Sequence, residues 1–309
     1  NQHLYRIVFN RPLDVLQVVA ENARRTVGGC VAARPARAQE GTVPALRFAV
    51  WCALGFVTTV PARAQVVADP NAPGHQRPTV LGSASGAPLI NITTPSAAGV
   101  SRNTYRQFDI GADGAILNNS RSGAQTQLGG SVAGNRWVAT GTAKDIPNEV
   151  NSASPAHLGG FVEVAGDRAQ VVVASPAGIT CDGCGVLNAT RLTLTTGTPV
   201  LNGGALDYYR VHGGVIRVEG AGLDATHTDF TDLISRSLVA NGKVWASQLQ
   251  ATLGANTVKA DHSQVTATAA MGEVPTFALD TGALGGMYAG KVTLLGTEHG
   301  VGVRHAGHL

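Results

Sequence analysis

The sequence predicts an all-β fold, and a parallel β-helix is favoured over a β-sandwich. Of its 309 residues 39 are Gly, while charged residues make up 14% and aromatic residues 5%. Gly, Thr, Val and Asn favour short strands joined by tight turns, whereas a helical bundle would be rich in Ala, Leu, Glu and Lys. The apolar content of 44% also excludes a highly charged disordered chain.

Short apolar runs with alternating polarity recur along residues 65–309. Leu192 alternates with Leu194, and Ile216 with Val218, which is the period-2 pattern of a strand with one buried face. Turns rich in Gly and Asn separate the runs, which start roughly 10 to 27 residues apart, as expected for coils that stack on one another. The Asn-Gly pair at 241–242 would also suit a hairpin, so this pattern leaves the β-sandwich open.

Positive charge is concentrated near the N-terminus. Residues 1–64 contain eight of the 23 Lys and Arg residues and three of the 20 Asp and Glu residues. Residues 65–309 therefore carry a small net negative charge and lack the basic patch that nucleic acid requires. We expect no nucleic-acid partner.

Residues 47–64 have the features of a cleavable secretory signal peptide. A mostly apolar, uncharged run at 48–60 follows Arg47, and small residues, Ala62 and Ala64, precede Gln65. This arrangement predicts export by the inner-membrane secretion machinery and cleavage by signal peptidase between Ala64 and Gln65. The apolar run is too short for a transmembrane helix, which needs roughly 20 apolar residues.

The first 46 residues form an extension that a simple signal peptide does not need. Tyr5-Arg6, Asn10-Arg11 and the later 19–21 stretch Val-Ala-Glu resemble the extended signal peptide region of two-partner-secretion exoproteins and some autotransporters. This resemblance implies slow, post-translational passage across the inner membrane, which keeps a very large exoprotein from folding early.

A second resemblance rests on the stretches 89–92, 99–108, 114–120, 128–130, 148–150, 154–160, 176–180, 190–197 and 301–304. On these stretches the chain resembles, from about residue 80 to 309, the N-terminal secretion domain of filamentous haemagglutinin-type and contact-dependent growth-inhibition exoproteins. Two stretches depart from that family. Asn135-Arg-Trp-Val138 stands where Asn-Pro-Asn-Leu is common, and the element Asn-Pro-x-Gly-Ile survives at 175–179 without its leading Asn.

The resemblance implies a right-handed parallel β-helix with an N-terminal cap over residues 65–309. It also implies secretion through the periplasm to the cell surface, after recognition by the periplasmic domains of a partner outer-membrane β-barrel transporter. Strand addition is the expected mode of recognition, and the candidate residues are Ser175, Pro176, Ala177, Gly178 and Ile179. The chain would then be the front part of a larger adhesin or growth-inhibition toxin carrier, with receptors on host or neighbouring cells and with no cofactor.

The Cys181-Asp-Gly-Cys184 motif allows three interpretations. A zinc site would need further Cys or His ligands nearby, and a thioredoxin-like redox site would need a βαβ surrounding; the sequence offers neither. Passage through the oxidising periplasm favours a local disulfide, and related growth-inhibition exoproteins carry a similar stretch, which implies a structural role. Free structural thiols are the second interpretation, and a redox or metal site is the third.

No catalytic or metal site is predicted. Residues 285–292 resemble a phosphate-binding loop but place Val292 where a hydroxyl is required, and Ala84 occupies the nucleophile position of a Gly-Ser-Ala-Ser-Gly stretch. The alternative function is a secreted β-helical carbohydrate-active enzyme, for which a carboxylate group would be needed. Its candidate residues are Asp224, Asp229 and Asp232, while surface histidines are expected at His299, His305 and His308.

Overall fold

In a computed structural model of the protein, the structure describes residues 5–10, 15–20 and 65–307. The chain divides into two compact units, Asn1–Thr59 and Val60–Leu309. In the first unit, strands β1 (Tyr5–Asn10) and β2 (Val15–Ala20) pair in antiparallel fashion. The predicted signal peptide, including Ala64, lies outside the described residues. Among those residues there is no helix with the length and apolarity needed to cross a membrane.

Over residues 65–307, the second unit contains strands and two short 3-10 turns, Gly74–Gln76 and Arg136–Val138. The strands in chain order are β3 (Gln65–Ala68), β4 (Thr79–Gly82), β5 (Pro88–Asn91), β6 (Asn103–Asp109), β7 (Ala115–Asn119), β8 (Gly123–Thr126), β9 (Gly130–Ala133), β10 (Asp145–Val150), β11 (Ala156–Leu158), β12 (Phe161–Gly166), β13 (Ala169–Ala174), β14 (Ile179–Leu187), β15 (Ala189–Thr195), β16 (Thr198–Asn202), β17 (Ala205–Val211), β18 (Val215–Ala225), β19 (Phe230–Ser235), β20 (Ser237–Ala240), β21 (Lys243–Leu253), β22 (Asn256–Lys259), β23 (Val265–Ala267), β24 (Phe277–Thr281), β25 (Gly286–Gly296) and β26 (Gly302–His305).

Successive coils contribute strands to three parallel ladders. Sheet A contains β5, β7 and β12, then the second halves of β14 and β18 and the first halves of β21 and β25. Sheet B contains β6, β10, β13, β15 and β19, then the second halves of β21 and β25. Sheet C contains β11 and the first halves of β14 and β18, then β20, β24 and β26. The predicted parallel β-helix is therefore confirmed.

The β-sandwich alternative is wrong, because its two sheets would be antiparallel. The Asn241-Gly242 pair does not form a hairpin. It turns the corner from β20 in sheet C to β21 in sheet A, and the N–H of Asn241 donates to the carbonyl of Val218 in the preceding coil. The N-terminal cap is also present: β3 lies antiparallel to β6, and β4 lies antiparallel to β5.

Inward-facing side chains of successive coils stack into one apolar column. In sheet B, Val173 lies beside Leu194, Leu194 beside Leu233, and Leu233 beside Ala251. All four are buried. The period-2 alternation of the sequence therefore separates the core face from the outer face of each strand, as the pleat of a β-strand requires.

Two antiparallel additions cover parts of the outer face. Strands β16, β17, β22 and β23 form a four-stranded sheet whose apolar residues pack against the outward-facing Val172, Ala174 and Ile234 of sheet B. The hairpin β8–β9 packs similarly against Leu89 and Ile116 of sheet A. Both additions bury apolar side chains that point away from the β-helix interior.

An ion pair between a half-buried Arg102 and a buried Glu149 joins the first coils of sheet B. The guanidinium of Arg102 donates to both carboxylate oxygens of Glu149 at 2.6 and 2.8 Å, and the Glu149 side chain is only 5% exposed. Burial raises the pKa of Glu149, although Arg102 lowers it in part. The charge of Arg102 thus offsets part of the cost of burying the carboxylate.

Replacing Leu194 with Ala is expected to lower the free energy of unfolding by about 2–5 kcal/mol, because the change leaves a cavity in the inner column. The matched control is Leu295→Ala, since Leu295 lies on the outer face and is 40% exposed. The Leu295→Ala variant should lose no more than about 0.5 kcal/mol of its free energy of unfolding. Urea denaturation of both variants measures the difference, and equal losses would contradict the assigned core face.

Replacing Arg102 with Ala should lower the free energy of unfolding by about 3 kcal/mol at pH 7, because it leaves Glu149 buried without its counter-charge. The loss should shrink as the pH falls and the Glu149 carboxyl becomes protonated. A carboxyl whose pKa is raised by folding binds its proton more tightly in the folded state, so its unfavourable effect grows as pH rises through the folded pKa. Stability measured against pH tests this.

The control for that variant is Arg304→Ala, which breaks the exposed pair with Asp280 in the last coils. An exposed ion pair contributes about 0–1 kcal/mol to the free energy of unfolding. A loss in Arg102→Ala that does not vary with pH would show that Glu149 is not the group responsible.

Candidate functional site

The predicted recognition segment, residues 175–179, turns the corner between β13 in sheet B and β14 in sheet C. The N–H of Gly178 donates to the carbonyl of Ser175 at 2.9 Å and closes a tight turn. Gly178 has a φ of +122°, and a Cβ there would lie 3.1 Å from the carbonyl oxygen of Val215. Only Gly adopts this backbone conformation without strain, which accounts for the residue type at this position.

Most of this segment is inaccessible in the folded domain. Ser175, Gly178 and Ile179 are buried, Ala177 is half-buried and Pro176 is exposed. The backbone is also engaged with the coils on both sides: the N–H of Ser175 donates to the carbonyl of Thr195, and the carbonyl of Gly178 accepts from Ala156. The folded segment therefore has few free main-chain groups with which to pair to another strand.

The other departure from the family pattern lies at residues 136–138, directly after Asn135. The buried side-chain amide of Asn135 donates to the carbonyls of Ile92 and Asn118, each at 2.9 Å, and its Oδ1 accepts from the N–H of Trp137. Asn135 thus keeps a structural role in capping the 3-10 turn and joining two coils. The residues after it place the Arg136 guanidinium 4.6 Å from the ring of Trp137, which is 42% exposed. Sequence reasoning gave no indication of this exposed pair.

Cys181 and Cys184 lie within β14 at the corner between sheets C and A. The structure joins them by a disulfide with a Cα–Cα distance of 5.3 Å, and both residues are buried. Asp182 between them is exposed, and its Oδ1 accepts from the N–H of Ala221 in the next coil at 2.8 Å. The disulfide thus tightens a corner that also contacts the next coil. Its presence in the secreted protein stays a prediction.

The three carboxylates of the enzyme alternative have separate partners. Asp224 accepts from the backbone and hydroxyl of Thr226, as in a solvated turn. Asp229 lies 3.4 Å from Arg168, and Asp232 lies 2.6 Å from Arg191. Each of the three carboxylates thus has a partner of its own, and they do not share one.

The remaining sequence candidates lie on strands and turns. Residues 286–292 belong to β25, so no helix follows the Gly-rich stretch. His299 and His305 are exposed, whereas His308 lies outside the described residues. Across residues 65–307, no group of three or more His, Cys, Asp or Glu side chains has the geometry of a metal site.

The sequence match decides the family. Residues 64–309 match the TPS secretion domain family, and residues 1–50 match the extended signal peptide of the type V secretion system. The chain belongs to the TPS secretion domain family. The abbreviation TPS stands for the two-partner secretion of exoproteins.

Similar proteins support the same assignment. The chain is 50% identical over 317 residues to the toxin CdiA of Yersinia pestis and 43% identical over 321 residues to the tRNA nuclease CdiA-2 of Burkholderia pseudomallei. All of this chain is covered in both cases, but only 10% of either relative. The crystal structure of a filamentous hemagglutinin secretion domain superposes with a TM-score of 0.71 at 31% identity, covering 77% of this chain and 80% of that one.

Family membership establishes the class of function. The chain carries a secretion-directing domain of the kind found in CdiA and filamentous haemagglutinin exoproteins, which reach the cell surface through the periplasm. Neither the family match nor the relatives support the carbohydrate-active enzyme. The spread of the match over residues 64–309 shows that the whole β-helix unit, rather than a local motif, carries the resemblance.

Reduction is expected to lower the free energy of unfolding by about 2 kcal/mol, because opening the short Cys181–Cys184 loop restores entropy to the unfolded chain. Urea denaturation with and without dithiothreitol measures this. The control is the Cys181→Ala, Cys184→Ala double variant, which retains Cys30 and Cys52 and should not respond to the reductant. Equal stability of the parent chain under both conditions would indicate free thiols.

Proposed function

We propose that residues 65–309 are the part of an exoprotein that a partner outer-membrane β-barrel transporter recognises through its periplasmic domains. Residues 1–46 slow inner-membrane passage, residues 47–64 act as the signal peptide, and signal peptidase cuts between Ala64 and Gln65. The match to a TPS secretion domain supports this proposal, since such domains act with a partner transporter. The carboxylates and cysteines described above have structural partners and are not needed for this role.

Recognition takes place before the β-helix folds. The observation that carries this step is the burial of the 175–179 segment, whose main-chain groups bond to the neighbouring coils at Thr195 and Ala156. A transporter domain could pair with the segment only while these bonds are unmade. An unfolded chain in the periplasm meets this condition. Slow inner-membrane passage, directed by the long signal region, would keep the chain unfolded there.

Strand addition is the interaction that fits an extended, unfolded segment. A sheet edge of the transporter would bond to main-chain groups, while alternate side chains such as Ile179 would enter pockets that provide specificity. Pro176 favours an extended conformation of Ser175 because a residue before Pro is disfavoured in the α region. The segment is thus biased toward the strand conformation before it folds.

Folding outside the cell then makes export directional. Each new coil completes the backbone hydrogen bonds of the coil before it and buries another layer of the apolar column. A folded coil cannot return through a pore that passes only an extended chain. Stacking on the external side therefore opposes backward movement.

The larger protein is proposed to be an adhesin or a carrier of a growth-inhibition toxin. The relatives are named as toxins or nucleases, and the chain spans about a tenth of their length. Any catalytic activity of the relatives is thus assigned to whole proteins of which this chain matches one small part. A receptor on a host or neighbouring cell is the expected partner of the exported protein.

Deleting the cognate transporter gene is expected to abolish surface display, because the unfolded chain would have no other route across the outer membrane. The parent strain and a strain with the gene restored on a plasmid are the controls. Display is measured by antibody labelling of intact cells, and the periplasmic pool by fractionation. Unchanged display in the deletion strain would overturn the proposed function.

The Pro176→Ala variant separates recognition from folding. Pro176 is exposed, so its replacement should change stability by no more than about 0.5 kcal/mol. Display should nevertheless fall several-fold, because the segment loses its bias toward an extended conformation. Pro70→Ala, at another exposed proline, is the matched control and should display normally. Equal display of both variants would remove residues 175–179 from the recognition model.

A further inference from the structure

The chain contains two Asn-Gly pairs, at 202–203 and 241–242. In such a pair the glycine nitrogen can attack the side-chain amide of the Asn, because Gly has no Cβ to hinder the approach and its main chain adopts many conformations. Asn belongs for this reason to the chemically labile residues of proteins. In a folded chain, the reaction depends on whether the glycine nitrogen is free and whether the main chain around it can move.

The first pair lies at the exposed tip of the hairpin β16–β17. Asn202 and Gly203 are both exposed, and the strand pairing ends at Asn202 and Ala205, so that Gly203 and Gly204 alone form the turn. Within residues 65–307, the N–H of Gly203 makes no main-chain hydrogen bond. A Cβ at Gly203 would meet no heavy atom within 4 Å. The nitrogen of Gly203 is therefore free, and the tip has room to change its conformation.

The second pair is held in place by the preceding coil. The N–H groups of Asn241 and Gly242 both donate to the carbonyl of Val218 at 2.8 Å, and the Asn241 side-chain amide donates to the carboxylate of Glu219 at 3.1 Å. Gly242 is buried, and a Cβ there would lie 2.6 Å from the carbonyl oxygen of Glu219. An attack by the Gly242 nitrogen therefore requires a local opening of this corner.

We propose that Asn202 is a site of spontaneous deamidation in the folded domain, and that the fold protects Asn241 from the same reaction. The contrast between a free and a bonded glycine nitrogen supports this assignment, since the two pairs have the same local sequence. Water is the only co-reactant. The site is independent of the proposed function, because it concerns the chemistry of the folded domain.

The reaction has two steps and involves no change of oxidation state. In the first step the nitrogen of Gly203 loses its proton and bonds to Cγ of Asn202, the bond from Cγ to Nδ2 breaks, and ammonia leaves with the proton. This closes a succinimide ring. In the second step water opens the ring: cleavage between the nitrogen and Cγ gives Asp, whereas cleavage between the nitrogen and the main-chain carbonyl carbon gives isoaspartate.

Both products change a tip that connects the four-stranded sheet to the first coils. The carbonyl of Gly204 accepts from the hydroxyl of Ser96 at 2.7 Å, and a Cβ at Gly204 would lie 3.1 Å from Cβ of Ser96. Asp adds a negative charge beside this close contact. Isoaspartate also lengthens the main chain by one carbon atom, which a turn of two residues accommodates only by moving Gly204. Deamidation is therefore expected to weaken the contact with Ser96.

Peptide mapping by mass spectrometry tests the site in the purified full chain, aged in mildly alkaline buffer. Under native conditions Asn202 should deamidate at least about tenfold faster than Asn241, which reacts only after local opening. In concentrated urea the two residues should react at similar rates, because each precedes Gly. Equal native rates, or faster reaction at Asn241, would overturn the proposal. A difference that persists unchanged in urea would overturn it as well, since the fold would then not be the cause.

Matched Gln variants test the structural effect. Asn202→Gln should resist ageing, because Gln must close a larger ring, whereas Asn241→Gln should age like the parent chain. Each aged sample is compared with its own fresh sample by urea denaturation. The unfolding midpoint should fall on ageing in the parent chain and in Asn241→Gln but not in Asn202→Gln, and fresh Ser96→Ala should show a midpoint below that of the fresh parent chain. An equal fall in both Gln variants would overturn the assigned effect on the Ser96 contact.

Discussion

The parallel main-chain ladder between successive coils is the constraint on which the whole domain depends. A buried strand must pair its N–H and C=O groups, and here the pairing partners of each coil lie in the coils before and after it. β13 pairs with β15, which pairs with β19, which pairs with β21. A single coil could not bury its own apolar face. Stability therefore arises between neighbours, and the N-terminal cap and the antiparallel additions cover surfaces that the stack alone would leave open.

The corners of the coils meet the same constraint with side chains and special backbone conformations. Asn119 donates to the carbonyls of Ala143 and Asp167 and accepts from the N–H of Ala143. Its amide thus takes the place of water for backbone groups buried at a bend. Gly178 supplies a backbone conformation that other residues rarely adopt. Buried amides and positive-φ glycines are therefore functional parts of the coil stack, and they account for the Gly- and Asn-rich composition from which the fold was predicted.

The alternation of single residues predicted the core, but not the layers outside it. Leu192 and Leu194 face inward as their spacing predicts, and both are buried. Val172 breaks the alternation, since it faces outward and is buried by the four-stranded sheet. The unbroken Val171–Val173 run was the available indication of a second covered face. The contact between Asp232 and His262, 3.5 Å apart, could not be predicted, because residues 30 positions apart in sequence meet only in the folded stack and no local pattern encodes such a contact.

Recognition and folding make competing use of the same main-chain groups. In the folded domain the backbone at 175–179 bonds to the coils on both sides, and in the proposed transporter complex those groups would bond to a sheet edge instead. The two states exclude each other, so formation of the neighbouring coils would release the segment from the transporter. Such release requires no separate energy source in the periplasm. The free energy gained as Thr195 and Ala156 take over the hydrogen bonds of the segment would favour the exported, folded state.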